Sequence, residues 1–108
     1  MGYSHKAERK RVGADEVELL DKSHHPALGT PRDAALSELR KLVRDRRDRA
    51  QTMANQQRRE ARRKAEPRGA QAAYDNTGTL RKADVLAGAI RRINAEVVRR
   101  AEKAARGA

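Results

Sequence analysis

The sequence predicts an all-α fold: a short N-terminal helix packed on a long antiparallel helical hairpin, coiled-coil-like and dimeric. Three observations carry this expectation. Two segments keep apolar residues at alternating spacings of three and four, the seam of a helix packed lengthwise on another helix. Helix-start and helix-stop residues bound those segments. The apolar content is also lean, at 37% with no Phe, Trp or Cys and only two Tyr, so self-association or a partner is expected to complete the core.

Taken in order, residues 1–13 hold four basic residues, one acid and the single aliphatic Val12, and read as a flexible basic arm. Residues 14–108 form one helical domain, with helices expected at about 15–22, 31–66 and 79–105. In the first, Asp15 is placed to cap and Val17, Leu19 and Leu20 supply an apolar side. Its acids, Asp15, Glu16, Glu18 and Asp21, are placed to shield basic residues of the hairpin. Residues 23–31 are a connector, because Pro26 disfavours helix at His25 and Gly29 interrupts again.

The clearest start signal follows. Thr30 is read as the N-cap, Pro31 as the first helical residue and Asp33 as the acid answering cap and dipole. The first seam is Leu36, Leu39, Val43, Arg46, Ala50, Met53 and Gln57. Beyond Met53 only Ala54, Ala61 and Ala65 remain, so the second half either packs closely through alanines or stands apart until something binds it. Pro67 ends this helix, and 68–78 is a turn-rich loop whose Tyr74 is expected to cover the hairpin end. Thr79 is read as the cap of the second long helix, with a stronger seam of Ala83, Leu86, Ile90, Ile93, Val97, Ala101 and Ala104, widened by Val85 and Val98. Folding back places Ala61 near Leu86, Met53 near Ile93 and Val43 near Ala104. Leu36 and Leu39 then extend past the second helix to meet Val17, Leu19 and Leu20.

Charge narrows the function. The 26 Lys and Arg outnumber 15 Asp and Glu, a formal net +11, which points to nucleic acid or another polyanion. Lacking Cys, the chain has no disulfide, thiolate metal site or cysteine nucleophile. No apolar run reaches the ~18 residues of a membrane span, so no membrane partner and a cytoplasmic location are expected. The preference for Arg over Lys and the abundance of Ala fit a GC-rich bacterial coding sequence.

Between Arg40 and Glu66 eleven basic residues face four acids. The candidate phosphate contacts there are Arg44, Arg47, Arg58, Arg59, Arg62, Arg63 and Lys64. Arg58 with Arg62, and Arg59 with Arg63, lie one helical turn apart and project together, so each can meet a backbone phosphate and displace condensed counterions. Asn55 and Gln56 directly precede the cluster, and such amides can read base edges. Arg91, Arg92, Arg99 and Arg100 offer a second ridge on the other long helix. The bland alternative is a solvated helix laced with ion pairs such as Asp45–Arg49 and Glu60–Lys64. The composition of residues 49–66 resembles the short arginine-rich helices with which some phage and viral proteins grip RNA hairpins. A basic leucine-zipper assignment fails, because the stretch around Asn55 lacks that family's paired alanines and no long zipper follows.

Two small motifs point elsewhere. Residues 75–79, AspAsnThrGlyThr, are similar to the phosphorylated signature of P-type ATPases but lack its lysine, and read as a capping turn. His5, His24 and His25 near carboxylates suggest a metal site, yet adjacent histidines in a connector rarely point at one ion. With no phosphate-binding Gly loop and no nucleophile paired with a base, the chain is expected to be no enzyme, to hold no cofactor and no metal. The expected function is non-enzymatic binding of nucleic acid, DNA or RNA, through phosphates of a duplex or folded strand, since aromatic stacking platforms are nearly absent. The alternative is a small helical adaptor or inhibitor that docks on an acidic protein or a ribonucleoprotein such as the ribosome. A seam closed within the chain favours the first; a seam facing outward favours the second.

Overall fold

The computed structural model describes residues 3–65 and 77–107, the side chains of Lys64 and Ala65 excepted. Every regular element in those stretches is helical: α1 (His5–Arg9), α2 (Ala14–Lys22), a 3-10 turn (Ala27–Gly29), α3 (Asp33–Ala65) and α4 (Thr77–Gly107). The two long helices pack lengthwise as an antiparallel hairpin, and the molecule measures 66 × 24 × 24 Å. No helix among the described residues is long and apolar enough to cross a membrane.

The core is aliphatic. Leu36, Leu39 and Val43 of α3 meet Val85, Leu86, Ala89, Ile90 and Ile93 of α4, and Leu20 and Leu28 close the cluster from the N-terminal segment. A wide apolar stripe lets α4 bury two sides at once. Ala83, Leu86, Ile90 and Ile93 keep the three-four spacing that a facing helix requires, while Val85 and Arg92 turn toward Tyr3 and Glu8. Leu36, Val43, Ile90 and Ile93 are all buried within the single chain, so the seam needs no second chain to close it.

Four expectations differ from the structure. The N-terminal residues do not form a loose arm as far as they are described: Ser4 caps α1, its hydroxyl accepting from the Ala7 N–H at 3.1 Å, and Glu8 is buried. A helix of five residues has no stability of its own; His5 tied to Asp21, and Glu8 tied to His24 and to the distant Arg92, hold it in place. In α2 the cap is Gly13, whose N–H donates to the Glu16 carboxylate at 2.8 Å, and Asp15 pairs instead with Arg46. The third difference concerns the long helices' starts. α3 begins at Asp33, because Leu28 is drawn into the core and winds residues 27–29 into their own turn, which Thr30 ends by donating to the Ala27 carbonyl. The first α3 backbone bond reaches from Leu36 N–H to the Arg32 carbonyl. α4 is already helical at Thr77, so Thr79 lies in its first turn. The expected Pro67 stop, the loop preceding residue 77 and Tyr74 lie outside the described residues.

Register is the fourth difference. Arg40 donates to Asn94 at 3.4 Å, Arg100 pairs with Asp33 at 3.0 Å, and Ala50 and Met53 share a groove with Gly78, Thr79 and Lys82. These contacts set Val43 level with Ile90 rather than Ala104, a displacement of two heptads. Leu36 therefore lies beside Val97, Ala101 and Ala104 instead of overhanging α4. A heptad seam matches itself after any shift of seven, so spacing alone cannot select among registers. The observed one sets large residues against large, with the N-terminal segment roofing them. Met53 also leaves the seam: it is 54% exposed and Ala54 takes its place at 1%. An α-helix drifts about 20° per heptad from a strict 3.5 repeat, enough by Met53 to turn the next residue inward.

Candidate nucleic-acid interface

Three buried carboxylates decide which basic residues remain available. Glu8 of α1 pairs with His24 at 2.7 Å and with Arg92 of α4 at 3.3 Å. Arg92 also donates to the buried Ser23, to its carbonyl at 3.0 Å and its hydroxyl at 2.9 Å. Glu16 takes Lys82 of α4 at 2.8 Å and lies 3.8 Å from Arg46 of α3. Glu96 holds Arg99 at 2.8 Å and Arg100 at 2.7 Å, with His25 3.7 Å away. Hydrogen bonds from Arg99 first and Arg100 next hold the Glu96 carboxyl down at about 2 against the opposing effect of its burial. Each node ties the N-terminal segment or its connector to the hairpin. Removing one partner from such a node leaves a buried charge uncompensated.

The acidic α2 shields the hairpin, but only in its middle. Asp15 and Glu16 reach Arg46 and Lys82 and stop there. At Asp15, lost hydration raises the pKa, and the hydrogen bond and charge of Arg46 outweigh it, leaving the carboxyl below its ordinary range. His5 and His24 do meet, their rings stacked at 4.0 Å, but each already holds a carboxylate, His5 that of Asp21 at 2.7 Å. No group of three potential ligands placed to hold a metal ion occurs among the described residues.

What stays exposed is concentrated on α3. Arg44, Arg58, Arg59, Arg62 and Arg63 are all exposed, and none forms an ion pair among the described residues. Arg58 is 3.4 Å from the Asn55 carboxamide oxygen, a long contact to a neutral group. Asn55 and Gln56 are exposed as well. Of the remaining expected contacts, Arg47 pairs with Asp48 at 3.1 Å, and Arg91 is exposed at the rim of a cleft that Glu8 and Asp84 also line. Arg92 and Arg100 are internal ties, Arg99 is partly neutralised by Glu96, and the Lys64 side chain lies outside the described residues. The ion pair Asp45–Arg49 forms at 3.1 Å. Of the expected second ridge only Arg91 stays exposed without an ion pair among the described residues, so the denser stripe is the one on α3.

Its position follows from the register. Since Met53 stands level with the start of α4, residues from about Gln57 onward run past the described part of that helix. Ala54 and Ala61 are buried on one side of this tip, and the arginines occupy the other. Sequence reading missed the internal role of Arg92, which no local pattern signals. That of Arg99 and Arg100 was legible, because Glu96 precedes them by three and four residues on one helix.

Fold and surface together define a helical hairpin, roofed by a short N-terminal helical segment, with an arginine-rich tip. Comparison with known protein families, with characterised proteins and with solved structures finds no match for this chain.

Proposed function

We propose that this chain is a non-enzymatic nucleic-acid-binding protein that grips a phosphate backbone through Arg44, Arg58, Arg59, Arg62 and Arg63 of α3. The observation that carries the reading is the separation of the arginines into two sets. Those beside buried glutamates hold the fold together, while Arg44 in the middle of α3 and the four on its tip face solvent without an acidic partner among the described residues. Unopposed guanidinium groups one helical turn apart suit successive phosphates, and their affinity comes chiefly from counterion release. The closed seam adds support, since Leu36, Val43, Ile90 and Ile93 present no apolar strip to a protein partner.

Binding measured on duplex DNA and on structured RNA across a salt series tests the reading. A logarithmic salt slope of about −4.5 is expected from five phosphate contacts at roughly −0.9 each. Weak, salt-insensitive binding to both would refute it.

One observation favours the second reading, an adaptor that docks on an acidic protein or a ribonucleoprotein. An apolar groove between α2 and α3, lined by Leu19, Pro31, Ala35, Leu39 and Leu42, stays open, with Leu42 49% exposed. The same groove is the remaining support for a homodimer. Sedimentation of Leu42→Lys beside the unaltered chain separates the two: a dimer that dissociates on substitution assigns the groove to self-association.

A further inference from the structure

Resting on that reading, we infer that the partner is B-form duplex DNA and that the α3 tip lies in its major groove. Successive residues of an α-helix are about 100° apart around its axis. Arg58 and Arg62 accordingly form one row, Arg59 and Arg63 a second, with about that angle between the rows. Asn55, one turn earlier, falls between them. All five side chains are exposed, while Ala54 and Ala61 turn to the buried side, opposite the Arg59–Arg63 row and next to the Arg58–Arg62 row. The tip therefore offers a helix with cations on both flanks and an amide on its leading edge.

That arrangement matches one kind of nucleic-acid surface. With Cα atoms about 2.3 Å from the axis and extended arginines, the guanidinium rows stand roughly 13 Å apart. The B-DNA major groove is about 12 Å wide and admits a helix, so each row meets the phosphates of one strand while Asn55 points at the base edges. The Asn55 carboxamide oxygen already takes the long contact from Arg58, leaving its amide hydrogens for an acceptor on the groove floor. An A-form RNA helix presents a deep, narrow major groove that side chains cannot read, and its wide minor groove gives the two rows no matched pair of walls. Single strands call for aromatic platforms, and the chain has only Tyr3 and Tyr74.

The test uses the full chain and fluorescence anisotropy with a duplex DNA, an RNA duplex of the same sequence and the DNA single strand, over about 50–200 mM salt. The duplex DNA should bind at least tenfold tighter than the RNA duplex. The pairs Arg58→Gln/Arg62→Gln and Arg59→Gln/Arg63→Gln should each lower the salt slope by about 2, with melting temperature unchanged. DNA whose major groove is filled by glucosylated hydroxymethylcytosine should lose binding, and the minor-groove ligand netropsin should not compete. Equal or tighter binding to the RNA duplex, dependence on one row alone, or competition by netropsin would overturn the groove assignment and leave phosphate binding standing. Absence of salt-dependent binding to all three probes would overturn both.

Discussion

Arg92 and Arg62 have the same chemistry and sit on helices of similar length, yet their surroundings give them opposite roles. Arg92 lies against the buried Glu8 and Ser23 and fastens the N-terminal segment to α4. Arg62 stands on the α3 tip, exposed, and pairs with no acid among the described residues. A net charge of +11 therefore does not measure the charge available to a partner. In a chain with so few large apolar residues, buried ion pairs specify how the segments dock, and only cations beyond their reach can recognise something else.

The largest effect should come from the exposed set. Replacing Arg58, Arg59, Arg62 and Arg63 together with Gln removes four phosphate contacts, and affinity near physiological salt should fall by about two orders of magnitude. Thermal unfolding should change little, because exposed positions away from buried groups contribute within about ±0.5 kcal/mol. A large drop in melting temperature would break the comparison, since it would mean the tip arginines also hold the fold.

Arg92→Ala is the reciprocal experiment. It leaves Glu8 and Ser23 short of their partner at buried positions, and should cost about 2 kcal/mol, moderated by the partial exposure of the arginine itself. Nucleic-acid affinity of the folded fraction should stay within twofold of the parent. A loss of affinity with no loss of stability would move Arg92 into the binding set.

Glu96 sharpens the same contrast through pH. Its carboxyl is depressed from 4.5 to about 2, so the ionised form is favoured by folding. The associated stability is present above the ordinary carboxylate range and is lost as pH falls through the folded-state value. Glu96→Gln should cost about 1–2 kcal/mol at neutral pH, near the low end for charged hydrogen bonds because Arg99 is open to solvent. Its melting temperature should also fall less steeply than the parent's between about pH 5 and pH 2. Parallel pH profiles would show that other carboxylates control acid unfolding.

Local signals in the sequence carried the all-helical hairpin, the small helix α2 and the basic stretch of α3, because heptad spacing, caps and charge runs act over a few residues. Register was not legible: a repeating seam fits at several offsets, and the choice was made by Leu20, Leu28 and Val85 meeting where the N-terminal segment folds over α4. The docking of α1 was hidden for the same reason, since its deciding contact joins Glu8 to Arg92. At the candidate site, Arg58 to Arg63 could be read from their one-turn spacing. The withdrawal of Arg92 from the surface could not, because Glu8 and Ser23 reach it only through the fold.

Asp48 tests the boundary between the two sets, where the expected effect is smallest. Its carboxylate takes Arg47 at 3.1 Å, and helical spacing puts it on the side of α3 that carries Arg44 and Asn55. Asp45 pairs with Arg49 at 3.1 Å, but Arg49 projects away from that side, toward the groove shared with Lys82. Both pairs are exposed, so Asp48→Asn and Asp45→Asn should each alter stability by no more than about 0.5 kcal/mol. Their effects on binding should differ. Asp48→Asn removes a repelling charge and releases Arg47 beside the phosphates, so affinity should rise about threefold and the salt slope should steepen by up to about 1. Asp45→Asn should change the slope less, because the arginine it releases, Arg49, projects toward the groove shared with Lys82 and not toward the phosphates. If the two variants strengthen binding equally, the protein responds to net charge rather than to a particular face, and the stripe from Arg44 to Arg63 is not the interface.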